Sequence, residues 1–357
     1  MKVFSYLLTF ICTFLVSLSF AQAEDAQLLP LNPDFEKDRI VWFDLEKKFG
    51  EVPPFKEGTR LGCLSKTLTN EFWRNVGKGY TLGAKKYSVM VSYMASANEE
   101  DPLGQLNLAQ SMIKDGYNAL LVSPMSDVNL QLAFDKAARA NLPFINVSDA
   151  VIPMTRYFVG GVHYKNGVSI AKWFIEHFPN GGEVAMIEGQ PLVYATTQRG
   201  QGFSDTINAN PKFSLVSSVP GNWSEEQAYR QTLLIMEKYP NVIGIYAHND
   251  NMAFGVVSAL KKLNLLDKVK VFGTDGISRA YKMIANGELT GTVDSFPDIT
   301  GMVAVEVASR IFAGQKIPRV VETPQALITK DNVDKFLPRD IEKIIVELKQ
   351  EYQKQKE

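Results

Sequence analysis

The chain has few cysteines, few histidines and no surplus of charge of either sign. Cys12 and Cys63 are its only cysteines, and Cys12 lies in an apolar run at the start of the chain. Without that run, Cys63 alone remains and no intramolecular disulfide can form; such a cysteine is typical of a core position. Lysine and arginine number 38 against 39 acidic residues. This balance argues against nucleic acid or anionic lipid as a partner.

Sequence motifs of common enzyme classes are also missing. The chain has no G-x-S-x-G elbow, no G-x-x-x-x-G-K-[ST] phosphate loop and no H-E-x-x-H pair. The histidines His163, His177 and His248 are far apart, and none has a cysteine or an acidic residue at metal-ligand spacing. We therefore predict a protein that is not an enzyme and that binds no cofactor or metal. His248 beside Asn249 could be a cleft residue, but we favour a hydrogen-bonded loop histidine.

The first 23 residues follow the order of a secretory signal peptide. Lys2 supplies a positive charge, an apolar run extends from Val3 to Phe20, and Ala21-Gln22-Ala23 forms a small-x-small cleavage site before Glu24. A transmembrane anchor would need about 20 apolar residues and would not end in such a site. We expect cleavage after Ala23 and export of a soluble protein.

From Thr59 onward, short β-rich runs alternate with amphipathic segments of helical length. This alternation is typical of parallel sheets with crossover helices. About 330 mature residues are too many for one core, so we predict an α/β fold with two doubly wound parallel-sheet lobes. The strand candidates are Arg60–Leu64, Ser88–Tyr93, Ala119–Val122 and Pro143–Val147, followed by Glu183–Ile187, Phe213–Ser218, Val242–Ala247, Val269–Gly273 and Leu289–Val293.

Polar and aromatic residues are concentrated in the loops that follow these strands. Open parallel sheets bind ligands beyond the carboxyl ends of their strands, so these loops are the candidate site. Planar Arg, Asn and Asp groups match adjacent hydroxyls of a polyhydroxylated ligand, and aromatic rings pack on its C–H faces. Helix starts are predicted nearby, as a capping box at Ser224 and Gln227 and at Asp250.

Four stretches in these loops resemble the ribose-binding type of periplasmic sugar-binding protein that serves ABC transporters. They are Thr67–Trp73, Arg199–Phe203, Ala247–Ala253 and Val271–Gly276, and their order and spacing hold from about Arg60 to Thr329. The resemblance implies periplasmic localisation and the type I fold of periplasmic binding proteins, with a three-segment hinge near Gly160, Ser295 and Val321. The implied segments are a signal peptide (1–23), an N-terminal extension (24–58), an N-terminal lobe (59–160 plus 296–321), a C-terminal lobe (161–295 plus 322–345) and a C-terminal tail (346–357).

The resemblance also assigns residues to a ligand cleft between the lobes. On the first lobe, Asn70 corresponds to a hydroxyl-binding amide, and Phe72 and Trp73 to an aromatic wall. The second lobe supplies a polar clamp and an opposing aromatic ring, which are Arg199, Asn249, Asp275 and Trp223. Each has a structural alternative: Trp73 could be a core residue, Arg199 a solvated charge at a helix start, and Asp275 a residue that only orders a turn.

Three departures from the family pattern bear on the ligand. Ser148-Asp149 stands where the ribose pattern has an Asp-Arg pair, Ser295 where it has a glutamine, and Glu71 where proline is usual. We assign Ser148, Asp149 and Ser295 to the cleft by position. Because the paired charges are absent, ribose itself is in doubt, and we expect a different or larger sugar or polyol.

The sequence does not identify the membrane protein with which this chain works. Delivery to the membrane subunits of an ABC transporter is the first hypothesis, with carbohydrate uptake or chemoreception as the role. The second is a monomeric receptor that signals to the periplasmic domain of a sensor kinase, as autoinducer-2 receptors do, because residues 24–58 resemble those receptors more than a plain transport protein. That segment has too many large apolar residues for a disordered tail, so it should pack on its own lobe or on a membrane partner.

A sugar-responsive transcription regulator is disfavoured because no helix-turn-helix precedes the lobes.

Overall fold

The computed structural model describes residues 28–356. The predicted signal peptide and its cleavage site lie outside these residues. The strands are β1 Arg39–Val41, β2 Arg60–Thr67, β3 Met90–Ser96, β4 Ala119–Val122, β5 Phe144–Val147, β6 Tyr157–Gly160, β7 Gly182–Glu188, β8 Phe213–Pro220, β9 Val242–Ala247, β10 Lys270–Asp275, β11 Gly291–Asp294, β12 Val320–Glu322 and β13 Ala326–Thr329.

The helices fall between these strands, as expected for βα units. They are α1 Leu45–Phe49, α2 Glu71–Tyr87, α3 Pro102–Lys114, α4 Gln131–Arg139, α5 His163–His177, α6 Tyr194–Asn208, α7 Glu225–Lys238, α8 Asp250–Lys262, α9 Ser278–Ala285, α10 Pro297–Phe312 and α11 Ile341–Lys354, with single 3-10 turns at Trp42–Asp44 and Val333–Phe336. Within residues 28–356, no helix combines the length and apolar character needed to cross a membrane.

Two sheets divide the strands into two lobes. The first lobe is built on a seven-stranded sheet in the order β1-β12-β6-β5-β4-β2-β3, and all its strand pairs are parallel. The second lobe has a six-stranded sheet in the order β13-β11-β10-β9-β7-β8, in which only β13 is antiparallel to its neighbour. The predicted α/β class with two parallel-sheet lobes is confirmed.

The chain passes between the lobes at three places. It leaves the first lobe after Gly160 at the end of β6 and returns after Asp294 at the end of β11. The return is shown by α10, which packs on α2, β5 and β6 of the first lobe. It leaves again between Glu322 of β12 and Ala326 of β13. The lobes are therefore assembled from discontinuous segments with crossings side by side, an arrangement suited to hinge motion.

Residues 28–58 are integrated into the first lobe. β1 pairs with β12, with Ile40 opposite Val321, and Leu45 is fully buried. The Trp42 indole donates a hydrogen bond of 3.0 Å to Glu306 of α10. The segment predicted as a separate extension thus contributes a strand to the sheet. Packing on its own lobe was one of the two outcomes expected from its apolar content.

Two local predictions need correction. Ser224 does cap α7, but the Gln227 side chain accepts a hydrogen bond from Asn222 instead of closing a capping box. The N-cap of α8 is Asn249, not Asp250, because the Asn249 side chain accepts from the backbone N–H of Met252. Asn249 and Asp250 are adjacent residues of types that cap well, so the pattern alone did not separate them.

The C-terminal residues also differ from the prediction. Residues 346–357 were expected to form a tail, yet helix α11 covers Ile341–Lys354 and buries Ile344 and Leu348. Tyr352 near its end donates a hydrogen bond of 2.7 Å to Asp44. The segment is helical because its apolar residues recur at helical spacing and pack against the protein body.

Two alanine substitutions, one at a buried leucine and one at an exposed leucine, test whether residues 28–58 belong to the core of the first lobe. We expect Leu45→Ala to lower the free energy of unfolding by about 2–5 kcal/mol, because it leaves a cavity at a fully buried site. Leu29→Ala should change it by less than about 0.5 kcal/mol, since Leu29 is 76% exposed. Urea unfolding followed by circular dichroism measures both. Equal stability of the two variants would show that the segment is not part of the core.

Candidate functional site

A small cavity, partly open to solvent, lies between the two lobes at the carboxyl ends of the strands, and its walls come from both lobes. The first lobe supplies Asn70, Phe72, Trp73, Glu99 and Asp149, and the second supplies Arg199, Trp223, Asn249 and Asp275. Eight of the ten sequence-predicted residues therefore line one cavity.

The aromatic wall of the first lobe is set by the start of α2. Asn70 caps this helix by accepting the backbone N–H of Phe72 at 3.0 Å. The Phe72 and Trp73 rings then meet edge to face, 4.8 Å apart, and the Trp73 indole N–H donates to Glu99 at 3.2 Å. Trp73 is 3% exposed, so it is both a core residue and a wall of the cavity.

Trp223 forms the opposing wall on the second lobe. It has a left-handed backbone with a φ of 62°, which sets its ring against Gly189. Any side chain at position 189 would overlap the indole, so glycine is required there for the ring to take this position. The indole N–H of Trp223 is buried and has no partner among the described residues. Buried donors of this kind usually bind water or a ligand.

A buried ion pair joins two strands at the base of the cavity. Lys66, at the end of β2, is 1% exposed and binds Asp149, which follows β5. The Lys66 ammonium also lies 5.6 Å from the Trp73 ring and 5.8 Å from the Trp223 ring. The sequence reasoning did not select Lys66 or Glu99. Lysine inside a β-rich run is the signal that could have pointed to Lys66, because a lysine is almost never fully buried without a partner.

Charge compensation sets the protonation of Asp149. Burial alone would raise the pKa of this carboxyl, but Lys66 and Arg199 hold it below its ordinary value. Burial raises the pKa of Glu99, against the opposing effect of Lys66. The site thus contains one carboxylate fixed in its charged form beside two cations.

The second-lobe residues Arg199, Asn249 and Asp275 converge on the same space. Arg199 of α6 donates to the backbone carbonyl of His248 at 2.5 Å, and its Nε is buried with no partner among the described residues. Burial raises the pKa of Asp275 well above its ordinary value, which favours the neutral acid, able both to donate and to accept. Asp250, not Asp275, binds the turn at Gly276. The turn-ordering alternative therefore applies to Asp250.

The histidines near the cavity are buried and neutral. His248 Nδ1 accepts the backbone N–H of Gly189 at 3.3 Å, and burial keeps its pKa well below the ordinary value. Burial likewise lowers the pKa of His163 to about 3. Neither ring lines the cavity.

Comparison with known proteins identifies the family. A model of the periplasmic binding protein domain matches residues 61–316. The chain belongs to the periplasmic binding protein family. The D-allose-binding periplasmic protein of Escherichia coli (strain K12) is 30% identical over 280 residues, covering 74% of this chain and 90% of that protein. The predicted resemblance to type I sugar-binding proteins is confirmed.

Two solved structures share the fold of this periplasmic binding protein. An ABC transporter periplasmic solute binding protein from Actinobacillus succinogenes 130z, with bound D-allose, is 29% identical with a TM-score of 0.74, covering 77% of this chain and 99% of that one. The fructose binding periplasmic domain of a hybrid two component system has a TM-score of 0.73 at 17% identity, covering 83% and 97%. The second likeness shows the fold alone. All three names describe binding proteins and not enzymes.

The residues that depart from the ribose pattern do not all lie where the sequence predicted them. Ser148 and Ser295 are buried but do not line the cavity of this periplasmic binding protein. Ser295 Oγ has no partner among the described residues. Glu71 instead crosses between the lobes, where it accepts hydrogen bonds from the backbone N–H of Ser278 at 3.1 Å and from its hydroxyl at 2.5 Å.

The ion pair predicts a pH-dependent penalty for Lys66→Met. In the wild type the pKa of Asp149 is lowered, so this group adds stability above the unfolded-state pKa and loses it as the pH falls through the folded-state pKa. In the variant, burial should raise that pKa, so stability is lost as the pH rises through the raised value. We expect a loss of about 3–5 kcal/mol at pH 7 and a smaller loss at pH 4.

Chemical denaturation at both pH values measures the penalty. Lys165→Met is the control, because Lys165 pairs with Glu322 but has a side chain 63% exposed; its loss should be under about 1 kcal/mol. Adding Asp149→Asn to Lys66→Met should restore part of the stability at pH 7. The same penalty at pH 4 and pH 7 would contradict the charge assignment.

Proposed function

We propose that this protein captures a monosaccharide or a related polyol in the periplasm and delivers it to an ABC importer. The observation that carries the proposal is the cavity between Trp73 and Trp223, which Arg199, Asn249 and Asp275 of one lobe line together with Asp149, the partner of Lys66, of the other. The protein acts as a binding protein, as its named relatives do.

The chemistry of the cavity supports a polyhydroxylated ligand. Each sugar hydroxyl both donates and accepts, and the walls offer charged donors, amides and carboxyl groups that match this pattern. The two tryptophan rings suit the C–H faces of a pyranose or furanose ring.

D-Allose is the first ligand to test. A 30% identical relative is named for D-allose, and a 29% identical structure holds it. The missing Asp-Arg pair argues against ribose. A thermal-shift screen with D-allose, D-ribose, other pentoses and hexoses, and inositols identifies the ligand; no shift with any of these would contradict the sugar assignment.

Binding is coupled to closure of a hinge between the lobes. We assign the first lobe to residues 28–160 plus 295–322 and the second lobe to residues 161–294 plus 323–345, with the hinge at the three crossings. A ligand that contacts both lobes only in the closed state stabilises that state through its differential affinity. Small-angle scattering of the monomer should show compaction when ligand is added, and an unchanged radius with a ligand that binds would contradict the mechanism.

Signalling to a membrane sensor kinase is the alternative output. A periplasmic domain of a hybrid two-component system shares the fold, and residues 28–58 add structure in front of the first lobe. Deleting the gene in its host and measuring growth on the bound sugar separates the two. Lost uptake supports the importer, whereas normal uptake with a lost transcriptional response supports the sensor.

Alanine variants of the clamp test the site. We expect Arg199→Ala to weaken binding by about ten- to a hundredfold, because it removes a hydrogen bond from a charged group worth about 1.5–3 kcal/mol. Asp275→Ala should weaken it by about two- to tenfold, because a neutral hydrogen bond is worth about 0.5–1.5 kcal/mol. Isothermal titration with the sugar found in the screen measures this change. Arg279→Ala is the control, since Arg279 pairs with Glu225 outside the cavity. Unchanged affinity with a lower melting temperature would assign Arg199 and Asp275 to structure instead.

A further inference from the structure

Residues 28–44 lie beside the hinge and are anchored on the first lobe. Leu31 packs in an apolar cluster with Val151, Phe158 and Val320, and its backbone N–H donates to Pro153 at 2.7 Å. The pairing of β1 with β12 fixes the other end of this segment. These contacts hold the segment in place whatever the position of the second lobe.

The same segment also binds the start of α5 in the second lobe. Helix α5 has Val162 as its N-cap and no side-chain cap of its own. The Asp34 carboxylate takes that role from a distance, because it accepts the backbone N–H groups of His163 at 3.2 Å and Tyr164 at 2.6 Å. A carboxylate at this position also offsets the positive end of the helix dipole.

A second link reaches α6, the helix that carries Arg199. The Tyr194 hydroxyl donates to the Asn32 side chain at 2.5 Å and accepts the backbone N–H of Asp34 at 3.0 Å. The Tyr194 backbone N–H donates to Asp127 of the first lobe at 3.3 Å, and the next N–H, of Ala195, donates to the Asp149 carbonyl at 3.2 Å. First-lobe groups therefore hold Tyr194 at both its hydroxyl and its backbone.

The effect of the Asp34 and Tyr194 hydrogen bonds depends on where they lie relative to the hinge. His163 follows the first crossing by a few residues, and the Tyr194 ring lies 6.1 Å from the His163 ring. Both links therefore lie on the hinge side of the cleft. Because the Tyr194 bonds join groups of different lobes, a rotation that moves α6 away from the first lobe would stretch them.

We propose that residues 28–44 form a clasp that favours the closed arrangement before ligand binds. The clasp joins the first lobe to α5 through Asp34 and to α6 through Tyr194. It regulates the ligand site proposed above, and it rests on that function only for its effect on affinity. When a larger fraction of the free protein is closed, the apparent affinity for ligand rises in proportion.

Tyr194→Phe is the test, because it removes the hydroxyl and both clasp hydrogen bonds while the ring remains. Tyr164→Phe is the matched control, since the Tyr164 hydroxyl binds Asp205 within the second lobe. Asn32→Ala removes the acceptor from the clasp side at an exposed position. Neither Tyr194 nor Asn32 lines the cavity.

The measurements are small-angle scattering of the free proteins and titration with D-allose. We expect Tyr194→Phe and Asn32→Ala to have a larger radius of gyration without ligand. Asn32→Ala should bind D-allose about three- to tenfold more weakly, the effect of one hydrogen bond, and Tyr194→Phe, which loses two, at least as weakly. Tyr164→Phe should match the wild type in both. If both clasp variants have the same radius of gyration without ligand as the wild type, the proposal is overturned, even if their melting temperatures fall. If the wild type does not bind D-allose, the ligand assignment fails, and the scattering result alone decides the clasp.

Discussion

The site depends on charge compensation within a small buried space. Arg199 of the second lobe lines the same cavity as Asp149 and Glu99 of the first, and the buried Lys66 pairs with Asp149 within the first lobe. A buried charge without a partner costs several kcal/mol, so these opposite charges lower the cost of bringing the lobes together. The ion pair of Lys66 with Asp149 keeps one carboxylate charged, whereas burial moves Asp275 toward the neutral acid. The closed cavity thereby offers a ligand both charged and neutral hydrogen-bonding groups.

Much of the site could be predicted because strand ends determine where side chains meet. Asn70 and Asn249 are the N-caps of the helices that follow β2 and β9, and Arg199 lies in the helix that follows β7. The carboxyl ends of these strands converge on one edge of each sheet. Lys66 was missed because β2 was predicted to end at Leu64, whereas it continues to Thr67. Glu99 was missed for a similar reason, since β3 ends at Ser96 and not at Tyr93. Errors of a few residues at strand ends therefore removed part of the site.

Four strands of residues 28–356 were not predicted from the sequence, namely β1, β6, β12 and β13. β1 and β12 have three residues each, and β6 and β13 have four, so a period of two is hard to recognise in them. β1 is placed by its register with β12 and by Trp42 bound to Glu306, contacts between segments far apart in the chain. Ala119–Val122 and Val242–Ala247, by contrast, were predicted with their observed bounds, because each is an apolar run between turn residues.

The change from the ribose pattern moves charges instead of removing them. Ser148 replaces the acid of the Asp-Arg pair, but Asp149 supplies a carboxylate one position later, with a left-handed backbone at φ 60°. Its cation comes from Lys66 on β2 rather than from the adjacent residue. A compact ammonium offers point-charge donors, whereas a guanidinium offers a planar fork that matches two adjacent acceptors. The site therefore keeps a carboxylate paired with a cation, but in a different geometry. The hydroxyls of a sugar that fit an Asp-Arg pair would not fit this arrangement in the same way.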